Sequence, residues 1–335
     1  MADVTLSLDE IEAMALAALL AAGAGPTQAK AMAGAVRGAE ADGIRSHGLP
    51  YVPIYAEHVQ CGKVDGKAEP TLSHPRPGAL LVDAKTGFTH PAIDAGFPAL
   101  IEAARANGVA VLTIRNSYNC GVLGHHVERL AKSGLLAIGN TNAPASIAPF
   151  GGIKPVIGTN PMAMAAPDGA GGAAFVIDQS ASVVAKSEVM GHARDGKPIP
   201  EGWALDAEGN PTTDPKAALD GGTMAPSGGY KGFGMGLMVE TMAAALAGAT
   251  LGKDASPFSG TKGGPPMTGQ AFIAIDPGAY SDVFSDRIKD LTEAILAQPG
   301  TRLPGARRAA NRERIARGGV VADSALVEKI RALAG

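Results

Sequence analysis

Apolar positions recur at three- and four-residue spacing through the first sixty residues, which predicts three successive helices. Ser7-Leu8-Asp9-Glu10 has the form of a capping box, with the Ser7 hydroxyl accepting from a first-turn amide and Glu10 reaching back. The helix it opens runs to about Ala22 and stops at Gly23. A second begins near Thr27, carries Ala31, Met32, Ala35 and Val36 on one face, and ends before Gly43; both helices are alanine-rich and suited to close packing. Pro50 then admits a third helix through Tyr51, Ile54, Tyr55 and Val59 to about Cys61. Between the second and third lies a polar knot, Asp42-Gly43-Ile44-Arg45-Ser46-His47-Gly48.

From Ala79 the pattern changes to short apolar runs alternating with helical ones. Strands are predicted at Ala79 to Val82, Val109 to Ile114, Leu135 to Gly139, Met162 to Ala165, Ala174 to Ile177 and Gln270 to Ile275. Helices are predicted at His90 to Ala106, Val122 to Lys132, Lys231 to Ala247, Ser285 to Ala297 and Gly305 to Arg317. Such alternation predicts an α/β layer architecture. The glycine-rich stretch Gly252 to Gly269 reads as a loop that covers something.

Length and composition narrow the function. A chain of 335 residues buries a large core in one or two domains. With a net charge of -3 and a pI near 6.2 there is no broad basic field, which argues against nucleic acid and anionic membrane as partners. Asp3, Asp9 and Glu10 stand where a signal peptide needs a basic start, and no apolar run reaches the roughly 18 residues of a membrane span, so the expectation is a soluble cytoplasmic protein. Cys61 and Cys120 exclude a disulfide framework and a cysteine-rich zinc module, and each is expected as a buried or half-buried thiol. Gly and Pro make up about a fifth of the chain without any long repeat, the profile of a globular enzyme with many tight turns.

No familiar nucleotide motif is complete. Gly232-Phe233-Gly234-Met235-Gly236 lacks the third glycine of a dinucleotide fingerprint, because Leu237 stands there, and its small residues suit close helix packing. His125 and His126 are adjacent on a helix, so they point apart and make a poor metal pair; solvated or capping roles, and no metal, are expected. Three loops do have the chemistry of a cradle for an anionic cofactor. Gly158-Thr159-Asn160-Pro161 combines a hydroxyl, an amide and a fixed turn. Asp178-Gln179-Ser180-Ala181-Ser182 ends a strand where free amides and hydroxyls can receive phosphate or ribose, and Gly228-Gly229-Tyr230-Lys231-Gly232 puts a lysine at a helix start.

The chain resembles the malate/L-lactate dehydrogenase family of the non-Rossmann type, which includes sulfolactate, ureidoglycolate and diketogulonate oxidoreductases and the Δ1-piperideine-2-carboxylate and Δ1-pyrroline-2-carboxylate reductases. The matching stretches run in order along nearly the whole chain: Ser46-His47-Gly48, Gly62-Lys63-Val64, Asn116-Ser117, Gly158-Thr159-Asn160-Pro161, Pro211-Thr212-Thr213-Asp214-Pro215, Lys231-Gly232, Met238-Val239-Glu240 and Pro304-Gly305. The resemblance implies a homodimeric NAD(P)-dependent oxidoreductase with two parts. Residues 1–75 together with 300–335 would form a mostly helical region for substrate and dimerisation, and 76–299 an α/β domain with a largely antiparallel mixed sheet binding the nicotinamide cofactor. The cofactor would lie against Thr159, Asn160, Asp178, Gln179, Ser180, Ser182, Lys231, Gly232, Pro304 and Gly305. Arg307, with Lys186 and Arg308 as further cations, leans the choice between NAD and NADP toward the 2′-phosphate.

For chemistry, the resemblance makes His47 the acid/base, donating a proton as hydride arrives and accepting it back in oxidation. Ser46 is expected to fix the ring or touch substrate, and Asp178 to orient a protonated group or bind cofactor. Two positions depart from the family pattern. Tyr51 stands where many relatives carry a carboxylate-gripping arginine, and Asn119 where many carry a second histidine, so Arg45 is the candidate for the missing positive charge. The leading expectation is reversible reduction of a small 2-oxo acid to a 2-hydroxy acid. The alternatives are NADPH-dependent reduction of a cyclic or N-alkyl imino acid, to which Tyr51 and Asn119 offer neutral hydrogen bonds, and nucleotide binding without turnover.

Overall fold

The computed structural model describes residues 3–335. It opens with a short strand β1 (Asp3–Leu6), then helices α1 (Leu8–Ala21) and α2 (Pro26–Ala41). The capping box forms as predicted, the Ser7 hydroxyl accepting from the Glu10 amide at 3.2 Å and the Glu10 carboxylate from the Ser7 amide at 2.8 Å. Two 3₁₀ turns, Arg45–His47 and Leu49–Tyr51, lead into α3 (Val52–Gln60).

The α/β part follows: β2 (Thr71–Arg76), β3 (Ala79–Asp83), α4 (Thr89–Asn107), β4 (Val109–Ser117), α5 (Leu123–Lys132), β5 (Leu136–Thr141), β6 (Met162–Pro167), β7 (Ala173–Gln179) and α6 (Lys186–Asp195). A satellite of β8 (Ala204–Leu205), β9 (Pro211–Thr212), α7 (Pro215–Leu219) and β10 (Thr223–Met224) precedes α8 (Tyr230–Glu240). The chain ends with β11 (Thr268–Ile275), α9 (Phe284–Leu296), α10 (Ala306–Gly318), β12 (Val320–Asp323) and α11 (Ser324–Leu333).

The main sheet has seven strands in the order β2-β3-β4-β11-β5-β6-β7, with β3 and β4 parallel and the other neighbours antiparallel. The fold is therefore mixed α/β with a mostly antiparallel sheet. β11 is the centre because it is largely buried on both faces and pairs with β4 on one side and β5 on the other. Helices α4 and α5 cover one face. There Phe97, Leu100, Leu112, Leu130 and Phe272 are sealed from water, and the Phe97 and Phe272 rings meet edge-on at 5.2 Å. Gly96 lets α4 approach the sheet, since a methyl group there would stand 2.6 Å from Leu112.

A second core joins both chain ends. Ile11, Leu19, Met32 and Val36 from α1 and α2 pack with Ile315, Val320, Val327 and Ile330 from the last elements. Each such side chain contributes about 1.5–3 kcal/mol relative to exposure. β1 pairs antiparallel with β12, from Asp3 opposite Asp323 to Leu6 opposite Val320. The C-terminal elements are thereby placed beside the polar knot.

The structure differs from the expectations in identifiable places. β1, β12, β2 and the satellite sheet were not anticipated; they are two to six residues long, and β2 is largely exposed and contains Pro75. The helix expected from Lys231 to Ala247 narrows its α-helical part to Glu240 and widens into a π turn over Thr241–Ala245, where the Thr241 hydroxyl donates to the Leu237 carbonyl at 2.9 Å. Cys120 is buried as expected, but Cys61 is exposed. Among the described residues no helix is long and apolar enough to cross a membrane.

Candidate active site

The polar knot is built on the end of α2. Asp42 caps the helix, and Gly43, at φ 72°, turns the chain; a side chain there would strike the Asn311 amide of α10 at 2.7 Å. Asn311 donates to the Asp42 carbonyl at 2.9 Å. Beneath the knot lies Glu40, 2% exposed, whose Oε1 accepts from the Leu49 amide at 2.7 Å. Burial raises the Glu40 pKa, partly offset by that amide. The Ser46–His47 segment is thus clamped between a buried carboxyl and the C-terminal helix.

His47 projects half-buried into a cavity of about 620 Å³. Its Nδ1 is buried without a protein partner, and its ring lies 5.6 Å from that of Tyr51. Burial pulls the His47 pKa down to about 4; His125 adds to this, and the nearby Asp178 carboxylate opposes it. The imidazole is therefore neutral near pH 7. Asp178 ends β7, and its Oδ2 accepts from the Gly124 amide at the start of α5 (2.9 Å) and from Arg308 Nη2 of α10 (2.8 Å). Glycine at 124 allows this approach, because a methyl group would stand 2.9 Å from Asp178 Oδ2 and 2.2 Å from Arg308 Nη1. Arg308 Nη1 is itself buried with no protein partner.

Of the residues singled out from sequence, Ser46, His47, Tyr51, Asn119, Thr159, Asp178, Gln179, Ser180 and Ser182 share the wall of this cavity. The Ser180 and Ser182 hydroxyls lie 3.0 Å apart. Asn119 accepts from the Gly121 amide at 3.2 Å. Pro304, Gly305 and Arg307 line an adjoining hollow of about 400 Å³ that shares Asp178, Gln179 and Arg308 with the first.

Four expected residues sit elsewhere. Arg45 turns outward and donates to the Val321 carbonyl of β12 at 2.8 Å, so it brings no charge to the cavity. Asn160 is fully buried behind the wall; its amide donates to Gly236 O (2.9 Å) and Glu240 Oε2 (2.7 Å) and accepts from Ala143 N (3.1 Å). Lys231 is exposed beside the Tyr230 ring, and Gly232 is pressed on Ser227, where a methyl group would stand 2.1 Å from the carbonyl. In their place Ser227 and Met235 face the cavity.

Sequence reasoning missed Ile44, Thr141, Phe258 and Arg302. Phe258 was signalled only by its position in the glycine-rich loop, and Arg302, in the 400 Å³ hollow, by its nearness to Pro304-Gly305. Lys186, weighed only as a cofactor cation, stands on the main cavity wall. Cys120 lines the cavity too, but burial pushes its thiol up to about 12, which leaves it unreactive.

The adjacent histidines of α5 are neither solvated nor caps. His125 Nε2 meets Asp42 Oδ2 at 2.7 Å, while His126 is buried with Nε2 on the Cys120 carbonyl at 2.9 Å. Arg312 of α10 donates to both Asp42 and Glu128. Burial would raise these two carboxyls, yet His125 and Arg312 hold Asp42 at about 2, and Arg312 with Lys132 holds Glu128 at about 2. Among the described residues no group of three or more His, Cys, Asp or Glu is placed to hold a metal ion. His47 also borders a larger hollow of about 810 Å³ on the α1, α2, α4 and α5 side, but Asp178 and the loop hydroxyls do not face it.

The donor set fits a nicotinamide dinucleotide: loop hydroxyls, an aspartate held by a helix N-terminus, an unpaired guanidinium nitrogen, and a hollow walled by Arg302, Arg307 and Arg308. Fold and cavity together define a class, an α/β protein with an extended cleft lined by one imidazole, that of His47. The profile of the malate/L-lactate dehydrogenase family matches residues 6–331, and the chain belongs to that family. It is 44% identical to a (2R)-3-sulfolactate dehydrogenase (NADP(+)) of Chromohalobacter salexigens over 310 residues, covering 92% of each chain. It is 40% identical to a Delta(1)-pyrroline-2-carboxylate reductase of Ancylobacter novellus over 334 residues, covering 98% of this chain and 97% of that one. A solved delta1-piperideine-2-carboxylate reductase from Pseudomonas syringae pvar. tomato superposes with a TM-score of 0.93 at 35% identity, covering 98% of this chain and 99% of the other.

Proposed function

We propose that the protein is an NADPH-preferring oxidoreductase that reversibly reduces the double bond next to the carboxylate of a small 2-oxo or 2-imino acid. The observation that carries this reading is His47 on the wall of one cavity with Asp178, the Ser180–Ser182 loop and Arg308, in a chain 44% and 40% identical to relatives named for those two reactions. The bound cofactor would supply hydride to the substrate carbon. His47 exchanges the proton at the substrate oxygen or nitrogen, and Asp178 sets the electrostatic field at the ring. Ser46 lies beside it on the same 3₁₀ turn, in reach of the substrate head. Thr159, Gln179, Ser180 and Ser182 hold the cofactor's polar groups, and Pro304, Gly305 and Arg307 with Arg302 take its 2′-phosphate end.

Reduction of a cyclic imino acid is a second reading, supported by the neutral state of His47. An imine nitrogen is far more basic than a carbonyl oxygen, so an imine can arrive already protonated and needs no acid; the neutral ring can then accept a hydrogen bond from its N–H. Charge supports it as well. The full cations on the cavity wall are Lys186 and Arg308, and Arg308 is paired with Asp178. Lys186 is left for a single carboxylate, which suits a monoanion better than a dianion.

The nicotinamide-binding part is read as non-Rossmann and as residues 76–299, with 1–75 and 300–335 as the helical region. A cytoplasmic homodimer belongs to the same reading, supported by the exposed apolar side chains of Leu237, Met238 and Leu246 along and beyond α8. The test is to mix the purified protein with NADPH and pyruvate, oxaloacetate or Δ1-pyrroline-2-carboxylate and follow loss of nicotinamide absorbance. His47→Ala is expected to slow the active substrate about 10² to 10⁴-fold. Wild-type rates in that variant would remove His47 from the chemistry, and binding of NADPH without turnover on any substrate would leave a nucleotide-binding protein.

A further inference from the structure

The glycine-rich segment between α8 and β11 reaches into the active-site cavity with one side chain, Phe258. Its base is closed at both ends. The Gly252 amide donates to Glu240 Oε1 at 2.6 Å, and the Thr250 amide to the Met267 carbonyl at 2.9 Å. Its tip is pinned by two buried side chains that touch no part of the cavity. Lys63, 1% exposed, gives its ammonium to the Pro257 carbonyl at 2.6 Å and the Ser259 carbonyl at 3.4 Å. His58, fully buried, meets the Gly260 carbonyl through Nε2 at 3.1 Å and the Tyr118 hydroxyl through Nδ1 at 2.5 Å.

A carbonyl only accepts, so Nε2 of His58 carries the proton and Nδ1 accepts from Tyr118. Tyr118 in turn meets Phe258 edge-on, with ring centroids 5.3 Å apart. The backbone carbonyls on either side of Phe258 and the ring behind it are therefore all tied to α3 and to the segment just after it. A buried ammonium is costly to desolvate, and here it is bonded to two carbonyls of a surface loop. An arrangement of that cost points to a required loop position rather than to generic stability.

The other side chains of the cavity decide what a substrate against Phe258 would meet. Tyr51, Ile44 and Asn119 share the cavity with it, none charged, and Arg45, the candidate for the missing positive charge, points away. The charged side chains of the cavity wall are Asp178 and Arg308, which pair with each other, and Lys186.

We propose that Phe258 is a specificity-determining wall that selects a single-carboxylate substrate with an apolar or ring-closed body, and that Lys63 and His58 are the positioning residues that hold it. The proposal rests on the functional reading above and narrows its substrate class to that of a cyclic imino acid. It follows that removing the ring weakens binding of a cyclic substrate while sparing a small open-chain one.

The experiment compares wild type with Phe258→Ala, Lys63→Met and Lys63→Arg, using NADPH with Δ1-pyrroline-2-carboxylate or pyruvate. Calorimetry of L-proline binding to the NADPH-saturated protein, a pair that cannot react, gives a readout independent of turnover. For Phe258→Ala, KM for the cyclic imine is expected to rise about tenfold, the loss typical of a few apolar groups in a pocket, with kcat and the pyruvate KM changed less than about twofold. L-proline affinity should fall by the same factor. Lys63→Met should reproduce that KM split and speed proteolytic cutting between Gly252 and Gly269, and Lys63→Arg should recover most of both. Equal losses on both substrates, or an unchanged cyclic KM in Phe258→Ala, would overturn the wall. A folded Lys63→Met with unchanged KM and loop cleavage would overturn the positioning role. A wild-type preference for pyruvate over the ring overturns the substrate class alone, whereas no turnover and no L-proline binding overturns the underlying functional reading too.

Discussion

Gly48 lies so close over Glu40 that a methyl group on its α-carbon would stand 2.0 Å from Oε1 of the buried carboxyl. The residue after the candidate acid/base must therefore be glycine for the clamp under His47 to close.

Gly48→Ala is expected to displace the His47 turn by the fraction of an ångström to an ångström that relieves this overlap. Misplacement on that scale lowers kcat/KM by about 10²-fold while leaving most of the fold intact. The double variant Gly48→Ala with Glu40→Ala, which makes room for the methyl group, should recover part of the loss. Steady-state kinetics on both, with circular dichroism as a folding control, decides the matter, and a fully active Gly48→Ala would mean that the clamp does not position the imidazole.

His47 should impose opposite pH dependences on the two directions of reaction. With its pKa lowered to about 4 by burial, the ring is neutral above that pH and protonated below it. kcat/KM for oxidation of a 2-hydroxy acid, which needs the neutral ring, should be flat at neutral pH and fall tenfold per unit below about 4. Reduction of a 2-oxo acid needs the protonated ring and should fall tenfold per unit as pH rises above about 4. Reduction of a cyclic imine that brings its own proton should instead follow the titration of the imine. Profiles measured for pyruvate and Δ1-pyrroline-2-carboxylate separate these cases.

Cofactor choice should respond to the arginines of the smaller hollow. Arg302 and Arg307 line it, and Arg308 beside them is engaged by Asp178. Losing one charge-assisted contact to a 2′-phosphate costs about 1.5–3 kcal/mol. Arg307→Ala and Arg302→Ala are accordingly expected to raise the KM for NADPH about tenfold to a hundredfold and to leave the KM for NADH nearly unchanged. Equal effects on both cofactors would place these side chains off the ribose phosphate.

The Arg312 fork ties α10 to Asp42 at the end of α2 and to Glu128 of α5. Arg312→Leu leaves two partly buried carboxylates without this cation; with the guanidinium about a third exposed, a loss of roughly 2–3 kcal/mol is expected. Both carboxyls have folded pKa values held down at about 2, so their contribution is complete above about 4.5 and is lost as pH falls through about 2. The difference in unfolding free energy between wild type and Arg312→Leu, measured by denaturant titration, should therefore shrink between pH 5 and pH 2. Because Arg308 is one turn earlier on α10, the variant should also raise the KM for NADPH.

Much of this molecule was legible in one dimension. Helix starts such as Ser7 to Glu10, the periodicity of α2 and α4, and the apolar runs of β3, β4 and β11 depend on local spacing, which sequence records directly. The candidate acid/base histidine was legible too, since a Ser-His-Gly corner between helices is a local feature. Strand order was not, nor the pairing of β1 with β12, because those depend on contacts between residues far apart in the chain, such as Ile275 with Val109 and Asp3 with Asp323.

The site divides along the same line. Sequence by itself singled out loops that meet at the cavity and its adjoining hollow: His47, the Asp178 to Ser182 segment and the Pro304-Gly305 turn. Only the tertiary structure decided which side chains in and beside those loops face inward. Asn160 is held in the buried network with Glu240, Arg45 turns to Val321, and Lys231 stays exposed, while Phe258, Lys186 and Arg308 enter the cavity. The physical reason is that a side chain's direction is set by what it packs against and by the hydrogen bonds that burial obliges it to make, and both come from distant parts of the chain.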